Sequence, residues 1–97
     1  MKKSPIILLL LVAILVFSAC SKPTKSAEGY WESGSALYDV GDYEGAVDEY
    51  QNILKFYPED EYAIKAAFSI ADITKNNIKD YDTAIKYYKD IEKIKHF

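Results

Sequence analysis

The chain says nearly the same thing twice. Asp42–Leu54 reads DYEGAVDEYQNIL, and thirty-eight residues later Asp80–Glu92 reads DYDTAIKYYKDIE. Asp, Tyr, Ala, Tyr and Ile recur at the same offsets. This constrains the fold more than any other feature, because a unit that cannot bury its apolar stripe alone is covered by stacking a second copy on it. The spacing is helical. Tyr43, Ala46, Val47, Tyr50, Ile53, Leu54 and Tyr57 follow the i, i+3, i+4, i+7 rule, and Tyr81, Ala84, Ile85, Tyr88 and Ile91 follow it in the second copy. Asp42 and Asp80 stand where a side-chain oxygen can accept from the orphan N–H groups of a helix start. Gly41 suits a tight reversal from a preceding helix, and Pro58 closes the first copy.

Each copy has a candidate partner helix before it. Glu28–Val40 carries Tyr30, Gly34, Leu37 and Tyr38; Glu61–Lys75 carries Ala63, Ala67, Ile70, Ala71 and Thr74, with Ile73 beside them. No stretch alternates as a strand would. The expectation is an all-α fold of four helices in two antiparallel helix-turn-helix pairs, a short α-solenoid.

The domain does not begin at residue 1. Met1-Lys2-Lys3 is basic, Ile6–Phe17 is an unbroken run of twelve apolar residues, and Ser18-Ala19-Cys20 is small. That order is the layout of a secretory signal peptide, and the run falls short of the roughly 18 residues a membrane span needs. Phe17-Ser18-Ala19-Cys20 resembles the bacterial lipobox, although Leu is usual where Phe17 stands. The resemblance implies diacylglycerol on the Cys20 thiol and cleavage before it; the alternative is an ordinary signal peptide with a free Cys20. Several acyl chains together hold a protein on its membrane where one does not. Ser21, rather than Asp, resembles lipoproteins sorted to the outer membrane of Gram-negative bacteria. The expected organisation is a signal peptide over 1–19, lipidated Cys20 and a polar tether over 20–27, and the helical domain over 28–97. Cys20 is the single cysteine, so no disulfide framework is available.

Tyr30, Gly34, Leu37, Gly41, Tyr43, Ala46, Tyr50, Ile53 and Pro58 have the spacing of a tetratricopeptide (TPR) repeat, and the chain resembles that family over about residues 27–97. The repeats would run over about 27–60 and 61–97. The second departs from the pattern: Ala67, Ile70, Ala71 and Thr74 replace the usual aromatic, Leu, Gly and Tyr, and the turn Asn76-Asn77-Ile78-Lys79 is about one residue too long. The inter-repeat stretch Tyr57–Ile73 resembles periplasmic TPR lipoproteins of the BamD type, from the β-barrel assembly machinery, and the TPR protein of the Tol–Pal envelope system. Those proteins carry more repeats. The family resemblance implies a non-catalytic adaptor or scaffold for other envelope proteins or peptide segments, with no cofactor.

Residue types argue against other classes. Catalysis needs a nucleophile, base and stabiliser in convergent positions, and the only histidine is His96. No Cys or His cluster could hold zinc, and no Gly-rich phosphate loop is present. Glu59-Asp60-Glu61 lacks the alternation and central Gly of a calcium loop and reads as an acidic helix start. A formal net charge of −3 argues against nucleic acid as a partner. The charge is uneven. Residues 27–62 hold ten acids against one lysine, and residues 63–97 hold five acids against seven lysines. These are either ordinary solvated faces or complementary ends that meet between copies or on a partner.

TPR pairs stack so that their first helices line a concave groove. By resemblance, the groove positions are Glu28, Trp31, Ser35, Tyr38 and Asp39 from the first pair and Lys65, Phe68, Asp72 and Lys75 from the second. Trp31 and Tyr38 lie seven apart, hence on one face, and large aromatics make good interface anchors; alternatively Trp31 packs against the tether. The clamp that some TPR proteins use for C-terminal carboxylates is not matched, since Trp31 and Ser35 occupy its first Lys and Asn positions. Two repeats are fewer than the three or so that usually give stability. Ile85, Ile91, Ile94 and Phe97 on the last helix then suggest burial by self-association or by another protein, and a homo-oligomer is the second expectation.

Overall fold

A computed structural model describes residues 22–94. The proposed signal peptide, Cys20 and His96 lie outside the described residues. Four α-helices follow one another: α1 (Ala27–Asp39), α2 (Tyr43–Phe56), α3 (Glu61–Ile73) and α4 (Tyr81–Ile94). A five-residue π-helical turn, Thr74–Ile78, extends α3. No strand occurs among the described residues. The fold is all-α, two antiparallel hairpins in series, α1 on α2 and α3 on α4, joined by the packing of α3 against α2.

The helix starts are capped as the sequence predicts. Asp42 accepts from the Gly45 N–H at 2.9 Å, and Asp80 accepts from the Thr83 N–H at 3.2 Å and its hydroxyl at 2.6 Å. These bonds hold the Asp80 carboxyl below its ordinary range, with the Thr83 hydroxyl the larger cause. Asp60 caps α3 through the Tyr62 N–H. The acidic run Glu59-Asp60-Glu61 therefore surrounds a helix N-terminus, where negative charge is favourable.

One core runs through both hairpins. Ala27 and Tyr30 of α1 join Ala46, Val47, Tyr50 and Ile53 of α2 and Ala63, Ala66, Ile70 and Ile73 of α3. Ile53 and Ile70 are the largest fully buried side chains. Gly34 is what lets α1 and α2 approach: a Cβ there would lie 2.6 Å from Cε1 of Tyr50. Ala67, Ala71 and Thr74, the unusual residues of the second repeat, are all buried. Thr74 donates its hydroxyl to the carbonyls of Ile70 and Ala71 at 2.8 and 3.1 Å.

The repeat holds at the level of single bonds. Ser35 and Tyr50 share a hydroxyl–hydroxyl hydrogen bond at 3.0 Å, and the equivalent Asp72 accepts from the Tyr88 hydroxyl at 2.5 Å. Gly41, in the left-handed region at φ 84°, turns the chain into α2, with the Asp42 N–H closing onto the Leu37 carbonyl at 2.9 Å. Lys79, at φ 68°, does the same before α4, and the Asp80 N–H closes onto the Thr74 carbonyl at 2.7 Å. The second loop holds one residue more than the first, and the π-helical turn absorbs it, as such turns do when a residue is inserted into a helix. The spacing places Thr74 and Lys75 in the helix and Asn76–Lys79 in a turn; Asn76, Asn77 and Ile78 continue the helix instead.

The stretch before α1 is fastened along its last residues. Ser26 caps α1 through the Gly29 N–H. The Tyr57 hydroxyl donates to the Lys25 carbonyl at 2.7 Å, and the Thr24 N–H donates to the Tyr30 hydroxyl at 3.0 Å. Bonds from Thr24 hold the Tyr30 phenol below its usual range. The Lys25 ammonium reaches Ser33 at 2.9 Å and Glu49 at 3.4 Å. The segment expected as a tether is thus tied to the first hairpin from Thr24 onward.

Candidate functional site

Ala63, Ala66, Ala67 and Ala71 are buried in the packing of α3, and Ser69, Asp72 and Ile73 of α3 face an open groove beside α1 on one side of the molecule. It encloses about 340 Å³ and is lined by Trp31, Tyr38, Tyr50, Ser69, Asp72, Ile73, Asn76 and Asn77.

Trp31 sits at the junction of three helices. Its ring centre lies 4.9 Å from that of Tyr50 on α2 and 5.8 Å from that of Tyr62 on α3, both tilted, the arrangement aromatic pairs favour. It is half-buried. The expected exposed Trp–Tyr pair is therefore asymmetric. Trp31 offers one face to the groove while closing the joint between hairpins. Tyr38, 42% exposed, is the freer aromatic and leans edge-on against Tyr43 at 5.4 Å. The alternative packing partner for Trp31, the tether, is instead held by Tyr30 and Tyr57.

Of the candidate positions, Trp31, Tyr38 and Asp72 line the groove together. Ser35 lies behind it, engaged with the Tyr50 hydroxyl. Glu28, Asp39, Lys65 and Phe68 are exposed but do not line it, and neither does Lys75 in the π-helical turn. Glu28 instead joins Glu61, Glu32 and Asp60 around Tyr62. Burial first, and these acids second, push the Tyr62 phenol above its ordinary value. The Lys65 ammonium sits 5.1 Å from the Tyr62 ring centre, within cation–π range.

Tyr50, Ser69, Ile73, Asn76 and Asn77 line the groove without having been expected there. Tyr50 and Ile73 read as core from their periodicity, and each is buried yet reaches the groove wall. Asn76-Asn77 reads as a turn. Both residues line the groove, and an amide both donates and accepts, as a peptide backbone requires. Asp72 is the one carboxylate of the lining. Its bond from Tyr88 pushes that phenol above the ordinary tyrosine range.

A second open concavity, about 580 Å³, lies on the far side between α2 and α4. Asp48, Gln51, Asn52, Leu54, Lys55 and Tyr87 line it, and Gln51 donates to the Tyr87 hydroxyl at 3.0 Å across it. Among the described residues no group of three or more His, Cys, Asp or Glu could hold a metal ion, and no helix is long and apolar enough to cross a membrane.

Fold and groove define an all-α protein of two stacked helical hairpins with an aromatic-lined cleft. No protein-family model, curated protein or solved structure matches the chain.

Proposed function

We propose that the protein is a lipid-anchored adaptor of the bacterial cell envelope, which binds a segment of another protein in the α1–α3 groove and performs no chemistry of its own. The reading takes from the sequence the TPR resemblance and the lipobox at Cys20, which would hold the protein on the periplasmic face of the outer membrane in a Gram-negative host. The observation that carries it is the groove lining: two aromatic rings, Trp31 and Tyr38, beside a paired amide, Asn76-Asn77, and one carboxylate, Asp72. Aromatic anchors bury large area at low entropy cost, and amides can pair with an extended backbone. The Asp72 carboxylate favours a segment with a basic side chain beside its apolar one. Help in outer-membrane or envelope assembly is the process the resemblance suggests.

A photo-crosslinking amino acid at Tyr38, in the native host, tests this. Tyr38 is exposed and at the groove, so the probe leaves the Trp31 joint intact. The expected result is capture of one specific envelope protein, lost when the probe moves to Lys55 on the opposite face. Equal capture at both positions would sink the groove as the binding site. Metabolic labelling with palmitate, lost in Cys20→Ala, tests the anchor separately.

A further inference from the structure

Three lysines of this chain lie over aromatic rings: Lys25 over Tyr30 at 5.6 Å from the ring centre, Lys55 over Phe56 at 5.1 Å and Lys65 over Tyr62 at 5.1 Å. An indole attracts a cation more strongly than a phenol or a phenyl ring does. Yet Trp31, the single tryptophan, carries no cation among the described residues. Asp72, in the lining of the same groove, is in the matching position. It is exposed, and its Oδ1 accepts from the Tyr88 hydroxyl. No cation pairs with it, since Lys25–Glu49 is the only ion pair among the described residues. Lys75 follows Asp72 by three residues but does not line the groove. The Ser69 hydroxyl and the amides of Asn76 and Asn77 complete the polar wall, and no hydrogen bond among the described residues occupies them.

We infer that the residue this groove selects in its partner is an arginine, whose guanidinium stacks on Trp31 and donates to Asp72; the inference rests on the groove being the binding site. The groove offers a cation an aromatic face, a carboxylate and neutral oxygens, and its lining holds no competing cation. Three cationic groups compete for such a place. A quaternary ammonium takes the ring but has no N–H for Asp72 or for the amide oxygens. A lysine ammonium has three donors, yet it is a compact and strongly hydrated charge, and an open groove gives it little that water does not. A guanidinium is flat and weakly hydrated. It covers an aromatic face while its edge presents five N–H donors in one plane. Asp72 has Oδ2 left for one of them, because Tyr88 takes only Oδ1. The carbonyl oxygens of Asn76 and Asn77 and the Ser69 hydroxyl are further acceptors on the same lining. The Tyr88 bond also limits how far the Asp72 carboxylate can turn, so the acceptor is held in place before the partner arrives.

Trp31 is the only tryptophan, so its fluorescence reports on the groove alone. The full chain in detergent micelles is titrated with three end-blocked peptides, Gly-Leu-Arg-Gly and its lysine and citrulline forms. Citrulline keeps the flat shape of arginine and lacks its charge. The arginine peptide should change the Trp31 emission saturably. The citrulline form should bind about tenfold more weakly, because a charge-assisted hydrogen bond is lost. The lysine form should bind roughly threefold or more weakly, because the stacked cation is lost. Asp72→Asn should abolish the preference for arginine over citrulline. That variant keeps a carbonyl oxygen for the Tyr88 hydroxyl, and circular dichroism should show its helix content unchanged. Equal binding of the arginine and citrulline forms overturns the inference, as does a preference for arginine that survives Asp72→Asn. No saturable change with the arginine peptide overturns it as well. The two readings fail separately: a specific protein captured from Tyr38, together with no arginine preference, removes the arginine and leaves the groove.

Discussion

At the scale of the residue, the tightest constraint is Gly34. Glycine in a helix interior is usually replaced by alanine with a gain of about 0.5–1 kcal/mol. Here the added methyl would meet the Tyr50 ring at 2.6 Å, and that ring is itself held by Trp31 on one side and Ser35 at its hydroxyl. Gly34→Ala should therefore destabilise, by roughly 1–3 kcal/mol, in urea unfolding; a gain would show that Tyr50 can move. The pair Asp72–Tyr88 gives a pH signature. The carboxylate accepts the phenol proton, and together with burial this raises the Tyr88 pKa in the folded state. A raised value means the stability contribution is complete below the ordinary tyrosine value of 10.0 and is lost as pH rises through the folded one. Titration of ring-labelled tyrosines by NMR should find Tyr88 above that value, and Asp72→Asn should bring it down. The pairing of Trp31 with Tyr38 on one face was legible in their spacing. Their unequal exposure was not, because it depends on Tyr62, which reaches Trp31 only once α3 has packed.

At the scale of the element, the two hairpin turns are the same device built from different residues. Gly41 and Lys79 are equivalent, both left-handed, and only one of them is glycine. A left-handed conformation costs a residue with a Cβ roughly 1 kcal/mol more than glycine. Lys79→Gly should accordingly stabilise by about 1 kcal/mol and Gly41→Lys destabilise by a similar amount. Nothing crowds position 41, where an added Cβ would meet no atom within 4 Å, so the expected effect is conformational alone. Thermal melts of both variants check it; opposite signs with matched size are the result that the repeat demands. The caps at Asp42 and Asp80, the reversal at Gly41 and the end of α2 before Pro58 were all readable, since each follows from one residue's own chemistry. The π-helical turn was not. The surplus residue between Asp72 and Asp80 shows in the sequence as length, but whether length becomes loop or helix depends on tertiary support. Thr74, buried and bonded back to Ile70 and Ala71, supplies part of that support.

At the scale of the whole molecule, a lipid on Cys20, as proposed, would set which end faces the membrane. Ala27 begins α1 beside the end of α2, as the Tyr30–Phe56 stacking at 6.3 Å and the Tyr57–Lys25 bond show. Four residues separate Phe56 from the start of α3, so the same end carries Pro58, Glu59 and Asp60. The turns at Gly41 and Lys79 lie at the other end, one helix length away, about 21 Å for fourteen residues. Thr24 is already bonded to Tyr30, which leaves three residues, four steps of chain, between that fixed point and the proposed lipid on Cys20, at most about 14 Å. A longer free tether would let the domain tumble; this one would hold the Pro58 end near the lipid headgroups and the groove at a set height. The natural chain has one cysteine, and in the lipid-anchored form its thiol would be occupied, so a new cysteine could be labelled singly. A fluorophore on Glu59→Cys should be quenched by headgroup-labelled lipid in reconstituted vesicles, while one on Glu44→Cys, at the far end, should not. Tyr57→Phe removes the bond to the Lys25 carbonyl, and quenching at the two positions should then become more nearly equal. If the two positions are quenched equally before that change, residues 22–26 detach on the membrane and the orientation argued here is wrong.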